Sequence, residues 1–284
     1  MNISATFRLI RFHKPVGTLL LWFPTAWALW LANQGTPPTP HLIYFFLGTF
    51  LMRSAGCVLN DMADRHVDQH VKRTEKRPLT TGEVSIQNAL LLLAALLLAA
   101  FAILVQLPQA CFYYALGALA ITILYPFCKR FFEAPQLILG IAFSMGIPMA
   151  YAASGAHADL TMGCLIALNF FWIVAYDTQY AMADRADDLR IGVKSTAILF
   201  GKYGQIFILL LQGIAHGLWL VIAWTQHLPR LFYIAWFLGL LIFVYQQRLI
   251  HHPTETAYLQ AFSTNAMYGF IMWLAVCLAY FPVL

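Results

Sequence analysis

Long apolar runs alternate along the whole chain with short stretches carrying glycine, proline or charge. The runs fall at 16–33, 41–60, 88–106, 110–127, 135–153, 161–183, 204–225, 230–247 and 264–283. A helix that crosses the hydrocarbon of a bilayer needs about 20 predominantly apolar residues. The pattern therefore predicts an all-α bundle of about nine transmembrane helices, embedded in a lipid bilayer as one domain over residues 1–284.

Composition agrees. Hydrophobic residues make up 61% of the 284 and charged residues only 10%, against roughly 25% charged in soluble domains. The basic residues are distributed to one side. With the N-terminus in the cytoplasm, the segments on that side hold Arg8, Arg11, Lys14, the 65–77 cluster, Lys129, Arg130, the 185–202 group and Arg248. The opposite loops near 34–40, 106–110, 154–160 and 226–230 offer only Arg230. This is the positive-inside bias, and after nine spans it predicts Leu284 on the far side. The formal charge of +5 is then a topology signal plus an anionic-ligand signal, and no nucleic acid is needed to explain it. The N-terminal stretch has signal-peptide features, including Ala26-Trp27-Ala28, but these lie inside a continuing aromatic run, so a retained first helix is expected. Cys57, Cys111, Cys128, Cys164 and Cys277 are scattered without a C-x-x-C pair and predict no disulfide framework. His66 and His70 are four apart but lack the H-E-x-x-H pattern of a zinc site.

The informative polar feature is a repeated acidic motif. Met62-Ala63-Asp64-Arg65-x-x-Asp68 returns as Met182-Ala183-Asp184-Arg185-x-x-Asp188, displaced by 120 positions. The copies end the second and sixth predicted helices. An even separation puts them on one face, here cytoplasmic, as in a parallel repeat. An Asp at the centre of a spanning helix costs about 2.5–3.5 kcal/mol, so two clusters of them point to a site.

On a helix, residues four apart share a face. Asn60, Asp64 and Asp68 form one stripe. Tyr180, Asp184 and Asp188 form another, with Asp177 seven before Asp184. Oxygen ligands in small number, completed by phosphate and water, suit Mg²⁺. The competing reading is solvated helix ends paired with local bases, as Asp61 with Arg65 at i,i+4. The bases that follow supply a partner for an anion: Lys72, Arg73, Lys76 and Arg77 after the first motif, Arg190 and Lys194 after the second. Lys72, Arg73 and Lys194 are the preferred diphosphate contacts, although the positive-inside rule alone accounts for part of this charge. Arg53 lies two turns deeper than Asn60 on nearly the same face. A buried guanidinium needs a partner, so Arg53 either pairs with an acid on another helix or meets a substrate carboxylate. Arg130, after Tyr125-Pro126-Phe127, is a further candidate, or else a topology anchor with Lys129.

At these residues the chain resembles the membrane-bound 4-hydroxybenzoate polyprenyltransferases of ubiquinone biosynthesis. Their wider family carries N-D-x-x-D-x-x-x-D, seen here as Asn60-Asp61-x-x-Asp64-x-x-x-Asp68. A second motif appears as Tyr180-Ala181-x-x-Asp184-x-x-x-Asp188. Met52 to Cys57, Ala175 to Met182 and Ile191 to Ala197 look like the 4-hydroxybenzoate branch. The resemblance implies a nine-helix bundle in the bacterial inner membrane with its active site facing the cytoplasm. It implies transfer of a polyprenyl group from polyprenyl diphosphate to 4-hydroxybenzoate, ortho to the phenol. Asn60, Asp64 and Asp68 carry over as one Mg²⁺–diphosphate cluster, and Asp177, Asp184 and Asp188 as the other. Asp64, Asp68, Asp184 and Asp188 are thereby the catalytic acids, and Arg53 would meet the aromatic carboxylate. Alternatives are a sister enzyme acting on homogentisate, a naphthoate or haem, and an anion transporter. The transporter predicts acids at mid-membrane in broken helices, whereas these acids sit at one face.

Overall fold

Capping residues stand where the apolar runs begin and end. Ser85, Asp159 and Thr254 each accept a hydrogen bond from the backbone N–H three residues on, which satisfies a donor that the first helical turn leaves free. Gly192 takes φ +74°, a conformation that ends a helix at low cost for glycine. The computed structural model describes residues 3–281, and every regular element among them is a helix. In order these are α1 (Ile3–Leu9), α2 (Val16–Ala32), α3 (Thr39–Ala63), α4 (Arg65–Asp68), α5 (Ile86–Leu104), α6 (Gln109–Cys128), α7 (Pro135–Ser144), α8 (Gly146–Ala153), α9 (Leu160–Ile191), α10 (Thr196–Phe200), α11 (Gly204–Thr225), α12 (Arg230–His251) and α13 (Glu255–Ala279).

All nine predicted spans are present. Eight are long and apolar enough to cross a bilayer, with α7 and α8 together forming one of them. The ninth, α2, has 17 residues, about 26 Å at 1.5 Å per residue. Three spans differ most from the hydropathy pattern. The sixth span, expected to end at 183, continues through the second acidic motif to Ile191. The last, expected from 264, begins at Glu255 because Thr254 caps it and Gln260 and Ser263 are absorbed into the helix; its expected end at 283 lies beyond the described residues. The fifth is interrupted at Met145 between α7 and α8, where Pro148 has no N–H to give the Ser144 carbonyl.

The long helix α9 is the hub, packing against α2, α7, α8, α10, α11 and α13. At its middle, Trp172 meets Trp27 of α2 at 5.3 Å and Tyr268 of α13 at 5.4 Å between ring centroids, and Trp27 meets Trp219 of α11 at 5.1 Å. Both indole donors of the Trp27–Trp172 pair are satisfied: Trp27 Nε1 donates to the Gly269 carbonyl at 3.2 Å and Trp172 Nε1 to Asn265 Oδ1 at 2.8 Å. Amides extend this network. Asn265 donates to Gln179, Gln179 donates to Gln246 of α12, and Gln212 of α11 donates to the same Gln246 oxygen. Within lipid, such groups must find partners inside the protein. Large apolar side chains on the outer faces, such as Leu91, Leu98, Tyr113 and Phe237, are left exposed to the bilayer.

Two substitutions separate ring packing from hydrogen bonding in this plug. Trp172→Phe should cost about 0.6–1.7 kcal/mol, the range for a lost interhelical hydrogen bond in a membrane. Trp172→Ala should cost about 3–5 kcal/mol. Equilibrium unfolding in mixed micelles reads both. Equal losses for the two would assign the whole effect to the hydrogen bond.

Candidate active site

The two acidic motifs are built differently. Asp177, Tyr180, Asp184 and Asp188 lie on one continuous face of α9. The first motif is not one helix: α3 stops at Ala63, Asp64 caps it with φ −93° and ψ 4°, and α4 follows as a single turn. The spacing survives the break because the Asp64 N–H donates to the Asn60 carbonyl at 2.9 Å and the Asp68 N–H to the Asp64 carbonyl at 2.8 Å. The segment after α4 then crosses to α9. Arg73 grips Asp184 with Nε at 2.9 Å from Oδ1 and with a second contact from Nη2, and it also donates to the Tyr180 hydroxyl. Its guanidinium carbon stands 4.4 Å from the Tyr180 ring centre. The two motifs thus face one shared site.

Asp61, Asp64 and Asp68 are each held by a base from another segment. Lys129, just past α6, places Nζ 3.0 Å from Asp64 Oδ2 and 3.4 Å from Asn60 Oδ1. Arg77 lies 2.7 Å from Asp68 and 2.9 Å from Asp61. Arg11 donates to both Asp61 oxygens at 2.7 Å. The local Asp61–Arg65 pair expected from i,i+4 spacing is replaced by these long-range partners. Asp61, Asp64 and Asp68 are all buried, so pairing is required rather than optional. Asp177 and Asp188 have no ion pair among the described residues, though Lys129 is within electrostatic reach of both.

Charge balance leaves marks on the groups at the water-facing edge. Burial lifts the Asp68 carboxyl above its ordinary pKa, and Arg77 offsets this only in part. Burial works against the Lys129 ammonium, but Asp64 beside it prevails and holds its pKa above the usual lysine value. Lys14 behaves oppositely: partial burial, then repulsion from Arg73, Arg11 and Arg77, pulls its pKa down.

Arg53 lies about 10 Å deeper, two helical turns below Asn60. It makes no ion pair among the described residues. Its neighbours in the field are Cys57, Tyr180, Tyr176 and Asp177, and the buried Tyr176 hydroxyl has no hydrogen-bond partner among the described residues. The guanidinium lies against Gly17 of α2, where a Cβ would fall 2.5 Å from Nη2 and 2.6 Å from Nε. Only glycine leaves Arg53 that space.

The other predicted contacts stand apart from the acids. Lys72 is exposed, and only its backbone N–H takes part, donating to Asp187 at 3.2 Å. Arg130 is exposed and caps the end of α3 through the Ala63 carbonyl at 3.0 Å. Lys194 reaches Glu133 at 3.9 Å and the Phe131 carbonyl at 3.4 Å. Sequence reasoning passed over Lys129 in favour of its neighbour. The available signal was phase: Lys129 is four residues after Tyr125, on the same face, and lies 5.4 Å over that ring. Arg11, Lys14 and Arg77 were read only as topology charge or as part of a basic run.

If Lys129 neutralises Asp64, removing either partner alone should hurt more than removing both. Lys129→Met should lower stability by about 2–4 kcal/mol, somewhat under the value for fully buried pairs, because the Lys129 side chain is 24% exposed. Adding Asp64→Asn should recover at least half of that loss. A double-mutant cycle on unfolding in EDTA measures the coupling; additive losses would show that the pair is only a contact.

Comparison with known proteins places this geometry. A 4-hydroxybenzoate octaprenyltransferase of Legionella pneumophila (strain Lens) is 54% identical over 276 residues, covering 97% of this chain and 98% of the relative. The fold matches the apo structure of a UbiA homolog from Aeropyrum pernix K1 with a TM-score of 0.79 at 23% identity, over 92% of this chain and 97% of that one. It also matches a UbiA homolog from Archaeoglobus fulgidus bound to GPP and Mg²⁺, with a TM-score of 0.72 at 20% identity, over 95% and 99% of the chains. The profile of the UbiA prenyltransferase family covers residues 21–279, and with two acidic motifs facing one site at the end of a nine-span bundle, the chain belongs to that family.

Proposed function

We propose that this prenyltransferase moves a polyprenyl group from polyprenyl diphosphate to 4-hydroxybenzoate, ortho to the phenol, and releases diphosphate, an early step of ubiquinone biosynthesis. The observation that carries the reading is the placement of Arg53, a carboxylate-sized cation without an ion pair among the described residues, two turns below two facing acidic motifs. The relatives named 4-hydroxybenzoate octaprenyltransferase, matched over nearly their full length, support the same acceptor.

The residues present fit Mg²⁺. Asn60, Asp64, Asp68, Asp177, Asp184 and Asp188 offer hard oxygen donors, and Asp177 and Asp188 carry charge that no ion pair among the described residues offsets. Among those residues, no three acids, histidines or cysteines already converge on a point. That suits an ion bound by one or two carboxylates and completed by substrate phosphate. With Asp61, the acids Asp64, Asp68, Asp177, Asp184 and Asp188 equal in number the local bases Arg11, Lys14, Arg53, Arg73, Arg77 and Lys129, so a diphosphate needs further positive charge. When bound, Mg²⁺ supplies that charge to the departing diphosphate.

The chain's own groups do the rest. Lys129 and Arg73 exchange Asp64 and Asp184 for phosphate oxygens, while Arg77, Arg11 and Lys14 hold the entrance electropositive. Lys72, Arg130 and Lys194, at the rim, steer the anion inward. Arg53 fixes the acceptor carboxylate, with Gly17 leaving it room and the Tyr176 hydroxyl free to donate. The allylic C–O bond breaks with its electron pair going to diphosphate. The ring carbon ortho to the phenol forms the new C–C bond and then loses its proton to an Asp or to diphosphate. Tyr180 and Phe262, with centroids 4.8 Å apart, give the cation aromatic faces. The hydrocarbon tail extends into lipid.

Purified protein with polyprenyl diphosphate, 4-hydroxybenzoate and Mg²⁺ should form the prenylated acid. Excess EDTA should abolish turnover and added Mg²⁺ restore it. Asp64→Ala and Asp184→Ala should depress kcat. Arg53→Ala should raise the acceptor KM about tenfold to a hundredfold, from the roughly 1.5–3 kcal/mol of a charge-assisted hydrogen bond, and Gly17→Ala should act in the same direction. The prenyl diphosphate KM should barely move. An Arg53→Ala effect confined to that second KM would assign Arg53 to the diphosphate.

We further propose that the acidic end faces the cytoplasm of a bacterial inner membrane, on the one-sided distribution of Lys and Arg. Reporter fusions in the 65–77 loop should register as cytoplasmic and those at 226–229 as external. The reverse pattern would overturn the orientation.

A further inference from the structure

The helices α11 and α12 are joined by a short turn at the end of the bundle far from the acidic motifs. Each packs more closely on a third helix, α9 and α13 respectively, than on the other. Between them runs a groove of about 870 Å³ that shares no residue with the acidic site. Its inner end is closed by Trp236 stacked on His216, with centroids 4.4 Å apart and planes inclined 17°, and fastened by Trp236 Nε1 donating to the His216 carbonyl at 3.0 Å. Its outer end is the end of α12 that carries Arg248, His251 and His252, all exposed. From Trp236 to His252 the helix rises about 24 Å. The hydrocarbon of one leaflet is about 15 Å deep, half of the full core, so the groove spans an acyl chain and the glycerol region above it.

The lining is graded in the same sense. Gly213 and Gly217 lie four apart on α11, and a Cβ at either would meet nothing within 4 Å. In membrane helices such spacing usually lets a second helix come close. Here no helix among the described residues occupies the space, and the wall opposite is Leu240, Phe243 and Val244. Nearer the outer end a polar floor joins the two helices: Gln247 donates to Gln212 Oε1 at 2.8 Å, and Gln205 donates to the Gln247 carbonyl at 3.2 Å. Among the described residues, Arg248 makes no ion pair and no acidic side chain lines the groove.

We propose that this groove holds one anionic phospholipid of the leaflet at the acidic-motif end, its phosphate against Arg248, His251 and His252 and one acyl chain along Gly213 and Gly217. The charge selects this occupant over two others. A second copy docked in parallel would bring its own Arg248, His251 and His252 against these, with no acid to separate them. A prenyl diphosphate carries more charge than one Arg offsets, and the groove has no carboxylate to hold a metal with it. A phosphodiester with a single charge matches.

Native mass spectrometry of the purified full-length protein, released from micelles containing dioleoyl phosphatidylglycerol or dioleoyl phosphatidylcholine, tests this. The wild type should retain one phosphatidylglycerol about fivefold more readily than phosphatidylcholine, the preference expected of one cation at the headgroup. Arg248→Gln should bring the two lipids to parity with prenyl transfer unchanged. Gly217→Leu, which fills the groove, should lose the retained lipid altogether. Equal retention of both lipids by the wild type overturns the proposal, as does phosphatidylglycerol preference surviving Arg248→Gln. A dimer peak abolished by Gly217→Leu would replace the lipid with a second copy, and one-for-one displacement of phosphatidylglycerol by a polyprenyl diphosphate would replace it with substrate. Should Gly217→Leu fail to fold, the exposed Arg248→Gln variant decides by itself.

Discussion

A carboxylate withdrawn from water must be given a cation, and the end of this bundle is organised by that requirement. Asp61, Asp64 and Asp68 are buried within two turns of one another. Their partners come from Arg11 before α2, Arg77 after α4 and Lys129 after α6. Asp184 on α9 takes Arg73 from the same segment as Arg77. Segments far apart in the chain are thereby fastened at one level of the membrane. Such pairs are weak sources of net stability, because desolvation offsets much of the attraction. They do fix which charges meet. The arrangement is also exchangeable: every base that neutralises an acid here can equally contact a phosphate oxygen.

Depth then orders the chemistry. The acids and their bases occupy the last turns of α3 and α9, where water and a charged leaving group are available. Arg53 lies about two turns below, beside Gly17, Tyr176 and Asp177. Beneath it the indoles of Trp27, Trp172 and Trp219 fill the bundle. A substrate that is an anion at one end and hydrocarbon at the other fits such a gradient in only one direction, with its reactive carbon between the acids and Arg53. On the proposed reading, the acceptor carboxylate would bind on the side away from the diphosphate, so the two negative groups would not compete for one set of cations.

Much of this was legible in the chain. Nine apolar runs gave nine spans, because hydrocarbon leaves few ways to satisfy a backbone. The repeated aspartates were visible because so few charges occur elsewhere. What escaped the sequence depended on phase and on distance. Lys129 and Arg130 are adjacent, yet one turns toward Asp64 and the other caps α3 from outside. Lys72 and Arg73 divide in the same way. Asp61 had an evident local partner in Arg65, but burial favoured two guanidinium groups 50 and 16 residues away. The break at Asp64 was hidden because the hydrogen bonds on either side of it, Asp64 to Asn60 and Asp68 to Asp64, keep the four-residue spacing. The extra turns of α13 were hidden because Gln260 and Ser263 read as polar, whereas in the helix Gln260 donates to the Tyr245 hydroxyl of α12 at 2.8 Å and Ser263 to the Gln260 carbonyl at 2.9 Å.

Partners on the neighbouring helices explain why the second motif points where it does. At 3.6 residues per turn, Asp177, Tyr180, Asp184 and Asp188 fall on one side of α9, while Trp172 and Gln179 fall on the opposite side. Trp172 and Asn265, Asn265 and Gln179, and Gln179 and Gln246 are joined by hydrogen bonds of 2.8–3.0 Å. On a third side, Thr178 meets Thr196 at 2.7 Å, and Gln136 accepts from the Thr196 backbone at 3.0 Å. Individually such bonds contribute about 0.6 kcal/mol in a membrane, too little to matter as a sum. Their effect is directional. Lipid and leucine would let a uniformly apolar helix turn about its axis with little penalty. An amide turned away from its partner in hydrocarbon has no water to accept it. The buried amides behind α9 therefore act as a key against rotation, and this keeps four polar side chains aimed across the site at Asp64 and Asp68.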